Sequence, residues 1–371
     1  MTPAMRLLTI ALALGMFATR AAAETPGGGS SAPAGPPTKI QYTDHAMGTI
    51  VNVWLWTADE RGAAQAAEAV FAEMRRLDQK MTNWPPHAEA GATPDKAEPA
   101  RSEVLQINAA AGDKPVKVSM ETYEVIERAI DISKRSKGLF DITVGAFKGL
   151  WKFDEDMDGT LPDPAEVKKR LALVNWKDIV LDPRQHTVLL RRKGMSITLG
   201  GIAKGYAVDK CAEILKKRGF TDFMMQAGGD MYISGKKGSE PWTVAIRDPR
   251  GPTNSFFATT AAVENHSFST SGDYERGFVK DGVRYHHILD TRTGQPAHAS
   301  RSVTIRARDA FTADAWSKVM FIMGPRDALE LIKREKLTDF EVVWVDDKNQ
   351  VVMTDGIKGA IRVHKEPTPG P

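Results

Sequence analysis

The sequence predicts an α+β fold, and three observations carry that reading. Hydrophobic periodicity switches repeatedly between a two-residue and a roughly 3.6-residue repeat, strand-like runs gather in the second half, and glycine-rich corners follow apolar strands. With 371 residues, 42% hydrophobic and 26% charged, the chain can bury one large core or two smaller ones. Its formal charge of +3 is too small to imply nucleic acid or a membrane surface as a partner.

The first segment places Arg6 ahead of an apolar run from Leu7 to Phe17, followed by Ala21-Ala22-Ala23. This is the pattern of a secretory signal peptide over residues 1–23, because the run is shorter than the roughly 20 residues that span a bilayer. Cleavage near Ala23 predicts an exported, periplasmic product without stable membrane insertion, and no cysteine near that junction offers a site for a lipid. Removing the leader takes away Arg6 and Arg20 and no acid, so the net charge falls further. Residues 24–38 are rich in Gly, Pro and Ser and are expected to form a disordered tether. Residues 39–364 then form the folded domain, and 365–371, with three prolines and a glycine, form a tail expected to fray. Cys211 is the only cysteine, which excludes an internal disulfide; in an amphipathic helix it reads as an inert packed thiol.

Within the domain, Thr49 to Trp56 reads as a strand and Gly62 to Met81 as a helix with Ala66, Val70, Met74, Leu77 and Met81 at helical spacing. Pro85 to Ala100 reads as a long surface loop, and Glu121 to Ser136 as a second helix. Ser196 to Leu199 is strand-like, Ala203 to Arg218 helical with a stop at Gly219, and Phe223 to Gln226 strand-like. Strands follow at Trp242 to Arg247, Arg284 to Leu289 and Ser302 to Arg306. A helical pair covers Phe311 to Met323 and Arg326 to Lys336, and Phe340 to Val345 and Gln350 to Met353 close the domain.

Four clusters could carry chemistry. Thr198-Leu199-Gly200-Gly201 leads into a helix whose first turn holds Lys204, a junction whose backbone N–H groups suit phosphate oxygens. The glycine spacing departs from the dinucleotide fingerprint, and a tight turn allowing close helix–sheet packing explains the same residues equally well. Gln226-Ala227-Gly228-Gly229-Asp230 is a second glycine turn, which would suit a pyrophosphate if it faced the first and is otherwise an ordinary hairpin. Ser269 to Tyr274, with Ser271 and Asp273, precedes Tyr285-His286-His287, where strand alternation sends the two histidines to opposite faces. One of them can serve as a general base. Last, Asp309 or Thr312 would cap a helix in which Asp314 could reach a divalent cation or pair with Lys318 one turn on.

These clusters, with Met47-Gly48-Thr49, Met81-Thr82-Asn83-Trp84, Ser102-Glu103-Val104 to Asn108 and Gly138-Leu139-Phe140-Asp141-Ile142-Thr143-Val144-Gly145, resemble the FAD:protein FMN transferases, the ApbE-like flavin transferases. The similarity runs from about Tyr42 to Met323. It implies a mixed α/β fold with mostly antiparallel sheets and packed helices. The implied reaction is attack by a threonine hydroxyl of a partner protein on the pyrophosphate of FAD, with AMP leaving. By position, Met47, Trp84, Leu139, Phe140 and Asp141 would line the flavin nucleotide, joined by Thr198, Lys204, Ser271 and Asp273, and His287 matches the base. Gly201, through its carbonyl, and Asp314 match magnesium ligands. Lys318 stands where the family has a threonine ligand, Thr198 where it has aspartate, and Thr291 where proline is common. An ammonium group cannot coordinate a cation, so either Lys318 swings away or its charge partly replaces the metal. The resemblance further implies an acceptor with a Ser/Thr-Gly-Ala-Thr type motif, such as an electron-transfer subunit. Two other readings stay open: an exported FAD-binding maturation protein without efficient transfer, and an FAD pyrophosphatase.

Overall fold

Eight strands, numbered here in chain order, build the main sheet: β1 (Thr38–Ala46), β2 (Thr49–Thr57), β3 (Phe223–Ala227), β4 (Asp230–Ser234), β5 (His266–Gly272), β6 (Ser300–Ala307), β7 (Phe340–Asp346) and β8 (Val351–Met353). They lie side by side in sequence order, and every neighbouring pair is antiparallel. The computed structural model describes residues 35–84, 102–153, 157–261 and 265–370. The leader, most of the tether and the Pro85–Ala100 loop lie outside the described residues.

Alternation along β2 explains the layering. Val51, Val53 and Leu55 are fully buried against helix α1 (Glu60–Met81), whose Ala66, Val70, Met74 and Leu77 repeat at helical spacing. Trp54 and Trp56 point the other way, into a smaller core with Ile233, Trp242, Val244 and Phe268. Strand β7 divides likewise: Val342 and Trp344 face the helices, while Val343 and Val345 meet Phe257 and Ile357 beneath a three-stranded sheet. On the helical face lie α2 (Glu103–Ala109), α3 (Met120–Arg135), α5 (Ala203–Lys217) and α6 (Ala310–Glu335), while α4 (Pro164–Leu171) packs through Val167 into a separate small core with Phe147, Trp151 and Phe153. Helix α6 breaks at Gly324, whose φ of 70° and ψ of 168° are non-helical, with Pro325 next; the two expected helices are its halves.

The structure departs from the sequence reading in four places. Residue Thr38, assigned to the tether, already pairs with Thr57, because the exposed edge strand β1 carries too few apolar residues to register as a strand. Ser196 to Leu199 joins no ladder. Asn108 exchanges both side-chain hydrogen bonds with Ile197, at 2.7 and 2.9 Å, and Thr198 N–H donates to Ile142 O, so the buried alternation of Met195, Ile197 and Leu199 reflects packing alone. The Arg284–Leu289 run breaks at His287, between ladders at Val283–His286 and Leu289–Asp290. Finally, the tail is anchored. Lys365 Nζ, Thr368 N–H and Thr368 Oγ1 donate to the fully buried Asp248 carboxylate at 2.8, 3.0 and 2.7 Å, and Asn349 donates to Pro367 O at 2.6 Å.

That anchor gives a first expected outcome. Truncation after His364 removes three donors from a buried carboxylate and should destabilise the protein by about 1–3 kcal/mol, read as a lower Tm at neutral pH. The Lys365 and Thr368 bonds, outweighing burial, hold Asp248 down at about 2, so this stabilisation is present above the unfolded value of 3.8 and is lost as pH falls toward about 2. The difference between full-length and truncated proteins should therefore narrow over that acid range. Equal Tm values at pH 7 would show that the tail contributes nothing.

Candidate functional site

Two hairpin turns, the start of α5 and the first half of α6 converge at one end of the main sheet. Met47 and Gly48, with φ of 52° and 66°, form the two-residue turn between β1 and β2, the left-handed geometry that matches strand twist. Met47 is an unfavourable residue for that conformation, and its N–H is held by Asp78 Oδ2 at 2.8 Å. Gly228 and Gly229 form the turn between β3 and β4. A Cβ on Gly228 would lie 2.7 Å from Thr49 Oγ1, and one on Gly229 2.6 Å from Thr270 O, so these glycines are required by packing. Gly228 N–H donates to Ile50 O at 3.0 Å and is closed to a ligand.

The start of α5 differs. Its N-cap residue, Ile202, offers no side-chain acceptor to the first turn. The orphan N–H of Gly205 instead donates to Asp314 Oδ2 of α6 at 2.9 Å. The helices approach so closely that a Cβ on Gly205 would lie 2.3 Å from Ala310 O. Asp209 reinforces the junction by accepting from Ala310 N–H and Phe311 N–H at 2.8 and 2.9 Å, and burial pushes its carboxyl up to about 7.

A compact charge cluster sits on this junction. Lys204 Nζ lies 3.4 Å from Asp230 Oδ2 and 3.4 Å from Gly200 O, and Ser269 Oγ donates to Asp230 Oδ1 at 2.6 Å. The Lys318 ammonium bonds Asp314 Oδ1. Both carboxylates are buried, whereas the Lys204 and Lys318 side chains keep 24% and 19% of their surface exposed, so the ammonium groups face an opening. Burial pulls the Lys204 ammonium down, but Asp314 and Asp230 outweigh it and hold its pKa above the ordinary lysine value. Burial and then Asp314 raise Asp230 against the pull of the two lysines. Gly201 lies beside them: its missing Cβ would sit 3.6 Å from the Phe140 ring and 3.8 Å from Lys318 Cε.

His287 completes the arrangement. Its Nδ1 lies 3.3 Å from Arg276 O, and a carbonyl can only accept, so Nδ1 carries the proton and neutral Nε2 keeps a bare lone pair. Burial, then His286, Arg276 and Lys318, push the imidazole down to about 3, yet the residue remains exposed. Arg276 Nη2 also reaches Gly48 O at 3.5 Å, which ties His287 to the Met47 turn. His286 faces inward as alternation required: it is buried, its Nε2 donates to Ala297 O at 2.7 Å, and burial pushes it down to about 4.

Met47, Gly201, Lys204, Lys318 and His287 thus gather at one end of the main sheet over the buried Phe140 and Asp314, with Thr198 Oγ1 bracing Gly200 N–H at 3.3 Å. Leu139 is half-buried beside Phe140, and Thr291 Oγ1 donates to Gly138 O at 2.8 Å, fixing that segment. Trp84 stands exposed with the Lys148 ammonium 4.5 Å from its ring. Three of the sequence candidates have their polar groups taken up within the protein. Asp141 caps the turn at Ile142–Phe147 and accepts from Trp176 N–H, Ser271 Oγ meets Ser317 Oγ at 2.7 Å, and Asp273 forms a buried bidentate pair with Arg250 at 2.7 Å. A cavity of about 440 Å³ behind Asp141, lined by Lys134, Trp176 and Arg292, includes neither His287, Lys204 nor Lys318. The turn cluster, not this cavity, brings the imidazole of His287 together with the Lys204 and Lys318 ammonium groups. Arg276 was missed from sequence because it sits in an irregular link with only its charge as a signal. Asp230 was visible only as the acid ending a glycine turn.

The donor set implied for magnesium does not fit a divalent cation. Lys318 covers one Asp314 oxygen, the Gly205 N–H holds the other, and no group of three or more His, Cys, Asp or Glu among the described residues could hold a metal.

Known proteins resemble this chain over most of its length. An FAD:protein FMN transferase of Treponema pallidum is 34% identical over 277 residues, covering 71% of this chain and 75% of that protein. One of Klebsiella pneumoniae is 28% identical over 314 residues, covering 84% and 91%. The crystal structure of the ApbE protein of Thermotoga maritima superposes with a TM-score of 0.76 at 32% identity, covering 88% of this chain and 100% of that one. Since the ApbE family profile also matches residues 47–344, most of the main sheet and the whole charge cluster, the chain belongs to the ApbE family.

Proposed function

We propose that this chain is an FAD:protein FMN transferase, and the observation that carries the reading is the bare Nε2 of His287 beside the Lys204 and Lys318 ammonium groups. The cations hold the diphosphate of FAD, the substrate, where backbone and side-chain positive charge offsets the charge developing in transfer. A threonine hydroxyl of the acceptor gives its proton to Nε2. Its oxygen then bonds the phosphorus on the flavin side, the P–O bond to the adenylate half breaks, and AMP departs. Trp84 offers an exposed ring for stacking on a flat heterocycle.

The finer parts of the reading rest on sequence. Arg6, the apolar run and Ala21-Ala22-Ala23 support export to the periplasm. The acceptor is an exported protein with a Ser/Thr-Gly-Ala-Thr type motif, in keeping with an electron-transfer subunit. Magnesium is left out of the reaction because both oxygens of Asp314, its implied carboxylate ligand, are already engaged and the Lys318 ammonium cannot coordinate a cation. Incubating residues 24–371 with FAD and an acceptor fragment bearing that motif should give covalent flavin fluorescence on the acceptor. Free FMN and AMP with an unlabelled acceptor would make the protein a pyrophosphatase, and FAD retained intact would make it a carrier.

A further inference from the structure

We infer that Lys318 is a built-in counter-cation for the diphosphate, so that this chain binds and uses FAD without a divalent metal. The inference rests on the transferase reading and concerns the same site. Four observations support it. The Lys318 ammonium lies on Oδ1 of Asp314, the carboxylate that the family resemblance assigns to a metal, and the second oxygen is held by Gly205 N–H. The Asp314 side chain is fully buried, which leaves no further approach to it from solvent. The Lys318 stem passes Gly201, with Cε 3.8 Å from where a Cβ would be, so it occupies the space between the two other implied ligands. Asp314 is the one hydrogen-bond partner of Lys318 among the described residues, and an ammonium has three N–H donors. Two donors therefore remain for a ligand on the exposed side, beside those of Lys204.

Charge decides between lysine and metal. A dication entering beside Lys318 would displace the ammonium from Asp314 into contact with a second cation, in a site that already holds Lys204 and Arg276 within electrostatic reach of one another. With the lysine in place, Asp314 is neutralised and its partner keeps a positive face toward the opening. The substrate step is unchanged in its balance: the hydroxyl proton goes to His287, the new phosphoester forms, and AMP leaves, with Lys318 donating to diphosphate oxygens.

The test measures FAD binding as well as turnover, using flavin fluorescence or calorimetry with magnesium or with EDTA, and manganese binding by EPR. Wild-type protein is expected to bind FAD with affinities within about twofold in the two conditions and to show no tight manganese site, since a ligand coupled to FAD must itself be bound more tightly when FAD is present. Lys318→Thr should lose about tenfold or more in FAD affinity in EDTA, recover it with magnesium, and acquire a manganese signal. Wild-type FAD binding that requires magnesium would overturn the inference and leave the transferase reading standing. Absence of FAD binding in every condition would overturn both. The wild-type arm alone decides the matter should the variant fold poorly.

Discussion

Replacing His287 by alanine is expected to slow FMN transfer about 10²- to 10⁴-fold, the usual loss when a general base is removed, while FAD affinity changes little. The two effects separate because different groups perform the two tasks. Lys204 and Lys318 belong to α5 and α6, and neither bonds His287, which is fixed through Arg276 O on a different part of the chain. The imidazole, pushed down to about 3, is unprotonated in the free protein well below neutral pH. The acid limb of kcat/KM, which reports the free enzyme, should therefore fall below the ordinary histidine value of 6.5. A bound diphosphate offsets the Arg276 and Lys318 charges that depress the ring, so the limb in kcat should lie higher than the limb in kcat/KM. Unchanged turnover in the alanine variant would remove His287 from the reaction. His286→Ala should instead lower Tm, since that ring is buried and its Nε2 donates to Ala297 O.

Much of the fold was legible because periodicity and punctuation agreed. The start of α5 after Gly200-Gly201, its stop at Gly219, and the break of α6 at Gly324-Pro325 follow from local backbone preference and appear where the sequence places them. What stayed hidden depends on partners distant in sequence. Ser196 to Leu199 looks like a strand because it is buried, yet Asn108, 89 positions away, supplies its hydrogen bonds. The site divides in the same way. The Asp314–Lys318 pair is an i,i+4 relation that a helix makes inevitable, and His287 stands out by alternation against His286. Asp273 looked free for a nucleotide, but Arg250 holds it from 23 residues upstream, a contact no local pattern announces. Gly205 N–H reaches Asp314 across 109 positions, and that bond orients the carboxylate on which Lys318 rests.

Gly205 is accordingly the position where a one-carbon change should matter most to the scaffold. In an exposed helix, alanine would improve on glycine by roughly 0.5–1 kcal/mol, because glycine surrenders more backbone entropy on folding. Here the sign reverses. The added Cβ would lie 2.3 Å from Ala310 O and 2.7 Å from Asp314 Cβ, and both belong to α6, whose first turn cannot yield because Asp209 holds the N–H groups of Ala310 and Phe311. Overpacking of this kind typically costs about 1–3 kcal/mol. The helices must separate to admit the methyl group, which lengthens the Gly205 N–H bond to Asp314 and turns the Lys318 ammonium away from the opening. Gly205→Ala is therefore expected to lower Tm and weaken FAD binding together. Gly200→Ala is the control for stability: its Cβ would meet only Thr198 Oγ1, at 3.5 Å, so Tm should stay near wild type. If Gly205→Ala keeps both the Tm and the FAD affinity of the wild type, the α5–α6 contact cannot be what positions Asp314 and Lys318, and the charge cluster must be held by the sheet side, through Asp230 and Ser269, instead.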